Sequence, residues 1–245
     1  MPGDLAGTTA LVTGAARRIG RAIAIALADR GMNVVVHYNR SLTDANGLVR
    51  LITKKGVSSW AVQGSLGTDE ECRALVRDSA AASRNTLSVL VNNASVFPES
   101  TFAGMTFDDL SECVRINTWA PLCLSRAFSA HAPSRGGCIV NLLDNRITGS
   151  DRSHAAYLLS KQLLASVTRL CAVELAPRLR VNGVAPGLIL PPPGKTAAYL
   201  DKLKKGVPLQ MHGTPADIAS AVVFCVTSPF LTGEIITLDG GKHLL

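Results

Sequence analysis

The run Thr9-Ala10-Leu11-Val12-Thr13 leads directly into Gly14-Ala15-Ala16-Arg17-Arg18-Ile19-Gly20. This stretch predicts a strand, a tight glycine loop and the start of a helix over 18–30 that stops at Gly31. Outward from this unit, short apolar runs keep alternating with helical stretches. Further strands are predicted at 33–38, 58–62, 87–92, 138–143, 180–184 and 234–238, and further helices at 43–55, 68–84, 108–130, 154–176 and 215–227.

The predicted strands are almost continuous in Val, Ile and Leu, as expected for a parallel sheet that is covered on both faces. Seven such strands joined by helices indicate an α/β fold, a Rossmann-type doubly wound parallel sheet in a single domain over 1–245. One segment interrupts the alternation and begins at Pro191-Pro192-Pro193-Gly194. We expect it to form a substrate lid over about 188–213, above the strand ends.

The composition excludes several classes of protein. With 47% apolar residues and a net charge of +7 over 245 residues, the chain is neither disordered nor a coiled coil. It has no apolar run of about 18 residues, and its first five residues do not resemble a signal peptide, so a soluble cytoplasmic protein without a membrane span is expected.

The reactive side chains and the charge add two expectations. The six cysteines form no Cys-x-x-Cys pair and the five histidines have no ligand spacing, so buried thiols and no metal site are expected. The basic residues are dispersed and aromatic residues make up only 4%, which argues against nucleic acid as a partner.

The glycine loop after the first strand is a candidate dinucleotide site. Gly14 allows the tight turn and Gly20 allows the helix to pack closely on the sheet, while the helix N-terminus favours a pyrophosphate. The middle glycine position of the motif holds Arg18, and the alternative is an ordinary glycine-rich turn.

The second strand ends in His37-Tyr38-Asn39-Arg40-Ser41, without the acidic residue that would bind the ribose 2′-hydroxyl of NAD. Arg40 and Ser41, with Arg17 nearby, instead offer a guanidinium and a hydroxyl to a 2′-phosphate. NADP(H) is therefore the expected cofactor; the alternative is a solvated basic turn.

Tyr157 and Lys161 are four residues apart on a predicted helix and therefore lie on one face of it. A neighbouring ammonium favours the phenolate, so we expect a lowered pKa that makes Tyr157 a usable proton donor and acceptor. Such a pair is common by chance as surface decoration, but this one follows the fifth strand and the strand-end residue Asp144.

Together these residues resemble the short-chain dehydrogenase/reductase family over essentially the whole chain. The first-loop glycines, Asn92-Asn93-Ala94, Asn117, Tyr157/Lys161 and Ala185-Pro186-Gly187 occur in the family's order and spacing. Arg18 at a usual glycine position, Ser95 and Phe97 after the fourth strand, and Asp144 at the position of the usual serine are similar to the pteridine reductase branch, including its dihydromonapterin reductase type.

The resemblance implies roles for four catalytic residues. Tyr157 would donate the proton, Lys161 would hold the nicotinamide ribose and tune Tyr157, and Asn117 would position a water for proton supply. Asp144 would hydrogen-bond Tyr157 and help relay a proton to a ring nitrogen. The alternatives are that Asn117 satisfies a helix irregularity and that Asp144 is a cap or turn residue.

The motifs and the resemblance also imply the binding residues. Phe97 would stack on a flat substrate, unless it is a core residue. The residues expected at the cofactor are Gly14, Arg17, Arg18, Ile19, Gly20, His37, Tyr38, Asn39, Arg40, Ser41, Ser65, Leu66, Asn93, Ala94, Ser95, Tyr157, Lys161, Pro186, Gly187 and Leu188. Those expected at the substrate are Arg18, Ser95, Phe97, Asp144, Tyr157 and Leu188.

The implied function is NADPH-dependent reduction of a pteridine C=N bond, from a dihydropterin or dihydrofolate to the tetrahydro form. A carbonyl reductase, such as a 3-oxoacyl thioester reductase, and a non-catalytic NADP-binding regulator are the alternatives. The partner would be a small pteridine substrate. The resemblance further implies a homotetramer assembled through the helices at about 108–130 and 154–176.

Overall fold

A computed structural model of the chain describes residues 5–134, 136–192 and 194–245. Seven parallel strands form one sheet in the order β3-β2-β1-β4-β5-β6-β7. Their bounds are β1 Thr9–Val12, β2 Asn33–Tyr38, β3 Ser59–Gln63, β4 Leu87–Asn92, β5 Gly137–Leu142, β6 Leu179–Pro186 and β7 Ile235–Leu238. The predicted fold class is confirmed.

Helices cover both faces of the sheet. They are α1 Arg18–Ala28, α2 Leu42–Thr53, α3 Asp69–Ser83, α4 Phe107–Val114, α5 Ala120–His131, α6 Ala155–Glu174, α7 Ala197–Leu203 and α8 Pro215–Thr227. Short 3₁₀ turns follow at Asn145–Thr148, Lys204–Gly206 and Lys242–Leu244. The predicted bounds differ from these by at most two residues, apart from the interior of the 108–130 helix and the 188–213 segment.

The two layers of core follow the alternation of side chains along the strands. Ala10 and Val12 of β1 face a layer formed with α1, α2 and α8. Leu11, between them, faces the opposite layer, where α3, α5 and α6 pack. Strands buried on both faces explain why their sequences read as continuous apolar runs.

The chain changes direction across the sheet at β1, which pairs with β2 on one side and with β4 on the other. At such a switch point the loops that follow the two central strands diverge and leave a crevice at the carboxyl edge. Here the edges are tied together, because the Thr13 hydroxyl oxygen accepts hydrogen bonds from the backbone N–H groups of Asn93 (2.9 Å) and Ala94 (3.0 Å). These hydrogen bonds hold the ends of β1 and β4 together at the base of the crevice.

The predicted helix at 108–130 is interrupted by a π-helical turn over Arg115–Trp119 that joins α4 to α5. Pro121 has no N–H to donate to the carbonyl of Asn117, four residues earlier, so a regular α-helical ladder cannot continue there. The turn places Asn117 fully inside the protein, and wide turns of this kind are frequent at functional sites.

The segment at 188–213 connects β6 to α8 and contains α7, a helix that the sequence pattern did not indicate. Its residues Leu200 and Val207 are buried, and its two ends are joined by a hydrogen bond from the Gly213 N–H to the Leu188 carbonyl at 3.0 Å. Pro193 of the Pro191-Pro192-Pro193 run and the first four residues lie outside the described residues. No helix within the described ranges is long and apolar enough to cross a membrane.

Candidate active site

The glycine loop after β1 lies against the end of β4 with no spare room. Gly14 has a φ of +61°, a conformation that favours glycine. A Cβ atom at Gly20 would lie 2.5 Å from the Asn93 Nδ2 atom and 2.5 Å from the Gly14 carbonyl oxygen. Asn93 Nδ2 itself donates to the Thr13 carbonyl at 2.8 Å, so the two glycines let α1 begin next to β4.

A cavity of about 350 Å³ opens beside this loop. It brings together the side chains expected to meet a 2′-phosphate, and its lining consists of Gly14, Ala16, Arg17, Tyr38, Asn39, Arg40 and Ser41. Sequence reasoning missed Asp44, in the first turn of α2, which accepts a hydrogen bond from Arg17 Nε at 2.7 Å. The charge of Arg17 is therefore partly neutralised by Asp44. Arg40, the other arginine of the cavity, is not paired with Asp44.

His37, expected at the cofactor, supports the loop from below. It is 2% exposed, its Nδ1 accepts from the Gly14 N–H at 3.0 Å and its Nε2 faces the Gly64 carbonyl at 3.2 Å. Burial lowers the pKa of His37 to about 4, against the smaller opposing effect of the Gly64 hydrogen bond. His37 is thus a neutral side chain that supports the glycine loop, with both ring nitrogens in contact with backbone groups.

Tyr157 and Lys161 lie one turn apart in α6 and are both buried, which rules out surface decoration. The Tyr157 hydroxyl donates to Asp144 Oδ2 at 3.1 Å, and the Asp144 side chain is 13% exposed. Lys161 Nζ donates to the Leu142 carbonyl at 2.7 Å. Phenol, carboxylate and amine therefore lie close together at the carboxyl end of β5.

The expected lowering of the Tyr157 pKa is wrong for this arrangement. Burial and the neighbouring Asp144 carboxylate raise the pKa of Tyr157 well above 10, and Arg146 opposes them only in part. Burial lowers the pKa of Lys161 to about 8, against the Asp144 charge. Tyr157 is therefore a protonated phenol at neutral pH, the form in which it can donate a proton.

Asn117 connects the loop after β4 to α6. Its Oδ1 accepts from the Val96 N–H at 2.8 Å and the Ser95 hydroxyl at 3.0 Å, and its Nδ2 donates to the Val96 carbonyl and the Ser160 hydroxyl, both at 3.0 Å. The amide thus has a protein partner in every direction. These partners belong to the loop after β4 and to α6 rather than to the π-helical turn that carries Asn117, so the contacts do not fit the alternative that the side chain satisfies a helix irregularity.

Phe97 is 40% exposed, so it is not a core residue. Its ring stacks on His154 at a centroid distance of 4.0 Å and meets the edge of Tyr157 at 4.6 Å. His154 was not among the predicted site residues. The exposed part of this ring is the surface that Phe97 offers to a flat substrate.

Arg146 is the main residue that sequence reasoning missed. Its guanidinium binds both oxygens of Asp144, from Nε and from Nη2, each at 2.8 Å. The guanidinium carbon also lies 5.3 Å from the Phe97 ring centroid and 5.7 Å from that of Tyr157. The sequence signal that could have identified Arg146 is its position two residues after the strand-end Asp144.

Asp144 also fits its alternative reading as a cap. Its Oδ1 accepts from the Arg146 N–H at 2.9 Å, at the start of the Asn145–Thr148 turn. One carboxylate therefore both caps a turn and contacts Tyr157.

The remaining predicted residues differ in their burial and in their contacts. Pro186-Gly187 packs so closely on Asp239 that a Cβ at Gly187 would lie 2.4 Å from the Asp239 Cβ. Arg18 is turned toward the segment at 188–213, where its Nη2 donates to the Pro191 carbonyl at 2.9 Å. Ser65 is exposed after β3, Leu66 is buried, and Ile19 and Leu188 are half-buried.

This arrangement is that of a dinucleotide-dependent oxidoreductase: a glycine loop at the switch point of a parallel sheet, with a buried phenol and amine at the carboxyl end of β5. The family model described as enoyl-(acyl carrier protein) reductase matches residues 14–243. The chain belongs to the short-chain dehydrogenase/reductase family. Among the described residues, no cluster of His, Cys, Asp or Glu is arranged to hold a metal ion.

Individual relatives differ in their stated activities. The 3-oxoacyl-[acyl-carrier-protein] reductase FabG of Staphylococcus aureus is 33% identical over 244 residues, covering 96% of this chain and 98% of the relative. The structure of FolM alternative dihydrofolate reductase 1 from Brucella canis, complexed with NADP, has a TM-score of 0.94 at 32% identity and covers 100% of this chain and 97% of that one. A blue fluorescent protein from a metagenomic library, in complex with NADPH, has a TM-score of 0.89 at 29% identity, with 98% and 99% covered.

His37 predicts a pH dependence of stability. Because its pKa falls from 6.5 to about 4 on folding, the unfolded chain binds a proton between these values that the folded protein does not. The free energy of unfolding should therefore decrease as the pH falls from 6.5 to 4, and His37→Gln should flatten this decrease. Urea unfolding at a series of pH values measures it; exposed His131→Gln is the control that keeps the wild-type slope. An unchanged slope in His37→Gln would contradict the assignment.

Proposed function

We propose that this protein uses NADPH to reduce the C=N bond of a dihydropterin or dihydrofolate to the tetrahydro form. The observation that carries the proposal is the Asp144 carboxylate, whose side chain is 13% exposed, at 3.1 Å from the Tyr157 hydroxyl. A pterin ring presents N–H donors along its amidine edge, and the Asp144 position that Tyr157 occupies in the free protein would accept one of them once the phenol turns to the substrate. Reduction of a C=N bond also requires protonation of a nitrogen. A ketone would favour a hydroxyl donor at that position.

The residues of the crevice fit NADP(H). The tight Gly14 and Gly20 positions would let the pyrophosphate approach the loop backbone. Arg40 and Ser41, in the cavity of about 350 Å³, would hold the 2′-phosphate. The FolM structure crystallised with NADP supports this choice. When bound, the cofactor supplies the hydride.

The protein's own groups would handle the proton. Tyr157, kept protonated by burial, would donate toward the substrate nitrogen. Lys161, buried and anchored on the Leu142 carbonyl, would orient the ribose beside it. Asp144 would orient the phenol, and Phe97 would offer an aromatic surface on which a flat ring is aligned for hydride transfer.

A 3-oxoacyl thioester reductase is the second candidate, because the FabG of Staphylococcus aureus is 33% identical over nearly the whole chain. The carboxylate at Asp144 argues against it, since it accepts a hydrogen bond from the Tyr157 hydroxyl, whereas a neutral hydroxyl at that position would itself donate to a carbonyl. A regulator that binds NADPH without turnover is disfavoured by the buried Tyr157–Lys161 pair.

We propose that the protein acts as a homotetramer. An exposed apolar stripe runs along α6, one of the two helices expected at the interface, and consists of Leu159, Leu163, Leu170 and Val173. Such stripes are typical of association surfaces.

All six cysteines are buried thiols, which fits a reducing cytoplasmic location.

Three substrates separate the candidate functions. NADPH consumption should be rapid with dihydrobiopterin and dihydrofolate and slow with an acetoacetyl thioester. Tyr157→Phe should remove turnover while leaving NADPH affinity nearly intact, which ties the activity to this pocket. Preference for the thioester would contradict the pteridine proposal, and tight NADPH binding without any turnover would support the regulator.

Arg40 tests the 2′-phosphate site. Arg40→Ala should weaken NADPH by about tenfold because a charge-assisted contact is lost, while NADH, which lacks that phosphate, should be little affected. Fluorescence titration with both cofactors measures the two affinities, with the exposed Arg50→Ala on α2 as a matched control. An equal loss for both cofactors would refute the role of Arg40.

A further inference from the structure

Arg146 lies in the middle of a chain of charged contacts that runs behind the candidate active site. On one side it binds both oxygens of Asp144, and on the other its Nη1 donates to Asp151 Oδ2. Asp151 also faces His154 Nδ1 at 3.3 Å. The chain therefore starts at the Tyr157 phenol and ends at the ring on which Phe97 stacks.

Arg146 determines the orientation of the Asp144 carboxylate. The carboxylate accepts four hydrogen bonds, three of them from Arg146 through its backbone N–H, Nε and Nη2, and the fourth from Tyr157. A carboxylate has about four lone-pair positions, so only the position facing Tyr157 is left to the active site. A two-point arginine contact fixes the plane of the carboxylate as well as its charge.

The arginine is itself held firmly. Asp151, its second partner, accepts backbone N–H groups of Ser153 at 2.7 Å and His154 at 3.1 Å, just before α6. The Arg146 side chain is 33% exposed and its two carboxylate partners are 13% and 11% exposed. Pairs shielded in this way are screened less by solvent than surface salt bridges, which contribute little.

The segment at 151–155 is also hydrogen-bonded to the chain that follows Phe97. Ser100, three residues after Phe97, pairs with the backbone at His154, through Ser100 N–H to the Ser153 carbonyl and Ala155 N–H to the Ser100 carbonyl, both at 2.8 Å. A movement of the Asp151 turn would therefore move both Phe97 and Asp144.

We propose that Arg146 is the positioning residue of this site. It orients the Asp144 carboxylate toward the Tyr157 hydroxyl and fixes the position of that pair relative to the Phe97 ring. The inference rests on the proposed function only in that Asp144 and Tyr157 act on the substrate. Without the guanidinium, the carboxylate is free to rotate, and small misplacements of catalytic groups cost large factors in rate.

The test compares Arg146→Ala with Arg146→Lys. We expect kcat to fall by about 10- to 100-fold in Arg146→Ala and less in Arg146→Lys, which keeps the charge but not the two-point contact. NADPH affinity should stay within about twofold, since the cavity beside the glycine loop does not include Arg146. Added guanidinium ion at millimolar concentration should restore part of the kcat of Arg146→Ala, whereas ammonium at equal ionic strength should not. Arg152→Ala, an exposed arginine of the same loop, is the control with wild-type kcat.

These measurements use whichever of the three substrates the wild type reduces, so a failed pteridine proposal remains distinct from a failed role for Arg146. Wild-type kcat in Arg146→Ala, or a loss that guanidinium does not restore, would overturn the proposal. If the wild type reduces none of them, or if Arg146→Ala does not fold, a crystal structure of Arg146→Lys decides. The proposal requires a displaced Asp144 carboxylate, and an unchanged contact with Tyr157 would overturn it.

Discussion

The hydrogen bond from the Tyr157 phenol to the Asp144 carboxylate is the contact on which the chemistry of this site depends. It joins the end of β5 to α6, between a phenol that is 8% exposed and a carboxylate side chain that is 13% exposed. In such a place a carboxylate strongly favours the protonated phenol, and burial acts in the same direction. The free protein thus holds a proton on Tyr157, and the hydroxyl must turn from Asp144 to deliver it.

The surroundings hold this contact in one geometry. Parallel strands bring their carboxyl ends to one edge, the Thr13 hydroxyl ties β1 to β4, and the Asn117 amide ties the loop after β4 to α6. Arg146 then restricts the carboxylate from behind. Rigid elements that support a few polar groups are the general way in which a site keeps its geometry before substrate arrives.

The sequence predicted the strands, the helices other than α7, and the positions of the Tyr157–Lys161 pair and Asp144, because apolar periodicity and motif spacing are local properties. It did not reveal Arg146, Asp151 or His154 as one chain of contacts, since their side chains meet only after a turn whose shape the sequence does not specify. The Tyr157 pKa was predicted in the wrong direction because spacing identifies the neighbouring Lys161 but not the burial that outweighs it. The π-helical turn at Asn117 was hidden for a similar reason, since a proline in a helical pattern does not say how the ladder adapts.

Relatives with different stated activities share this scaffold, and the chain resembles a FabG and a FolM to about the same degree in sequence. Under the proposed function, the side chain at 144 rather than the fold would discriminate between these activities. The most direct measurement is the ratio of kcat/KM for dihydrobiopterin to that for an acetoacetyl thioester, in the wild type and in Asp144→Ser. If the carboxylate selects the C=N bond, the ratio should fall by about tenfold or more in the variant, and the thioester rate should rise. An unchanged ratio would contradict the assignment of that selectivity to Asp144.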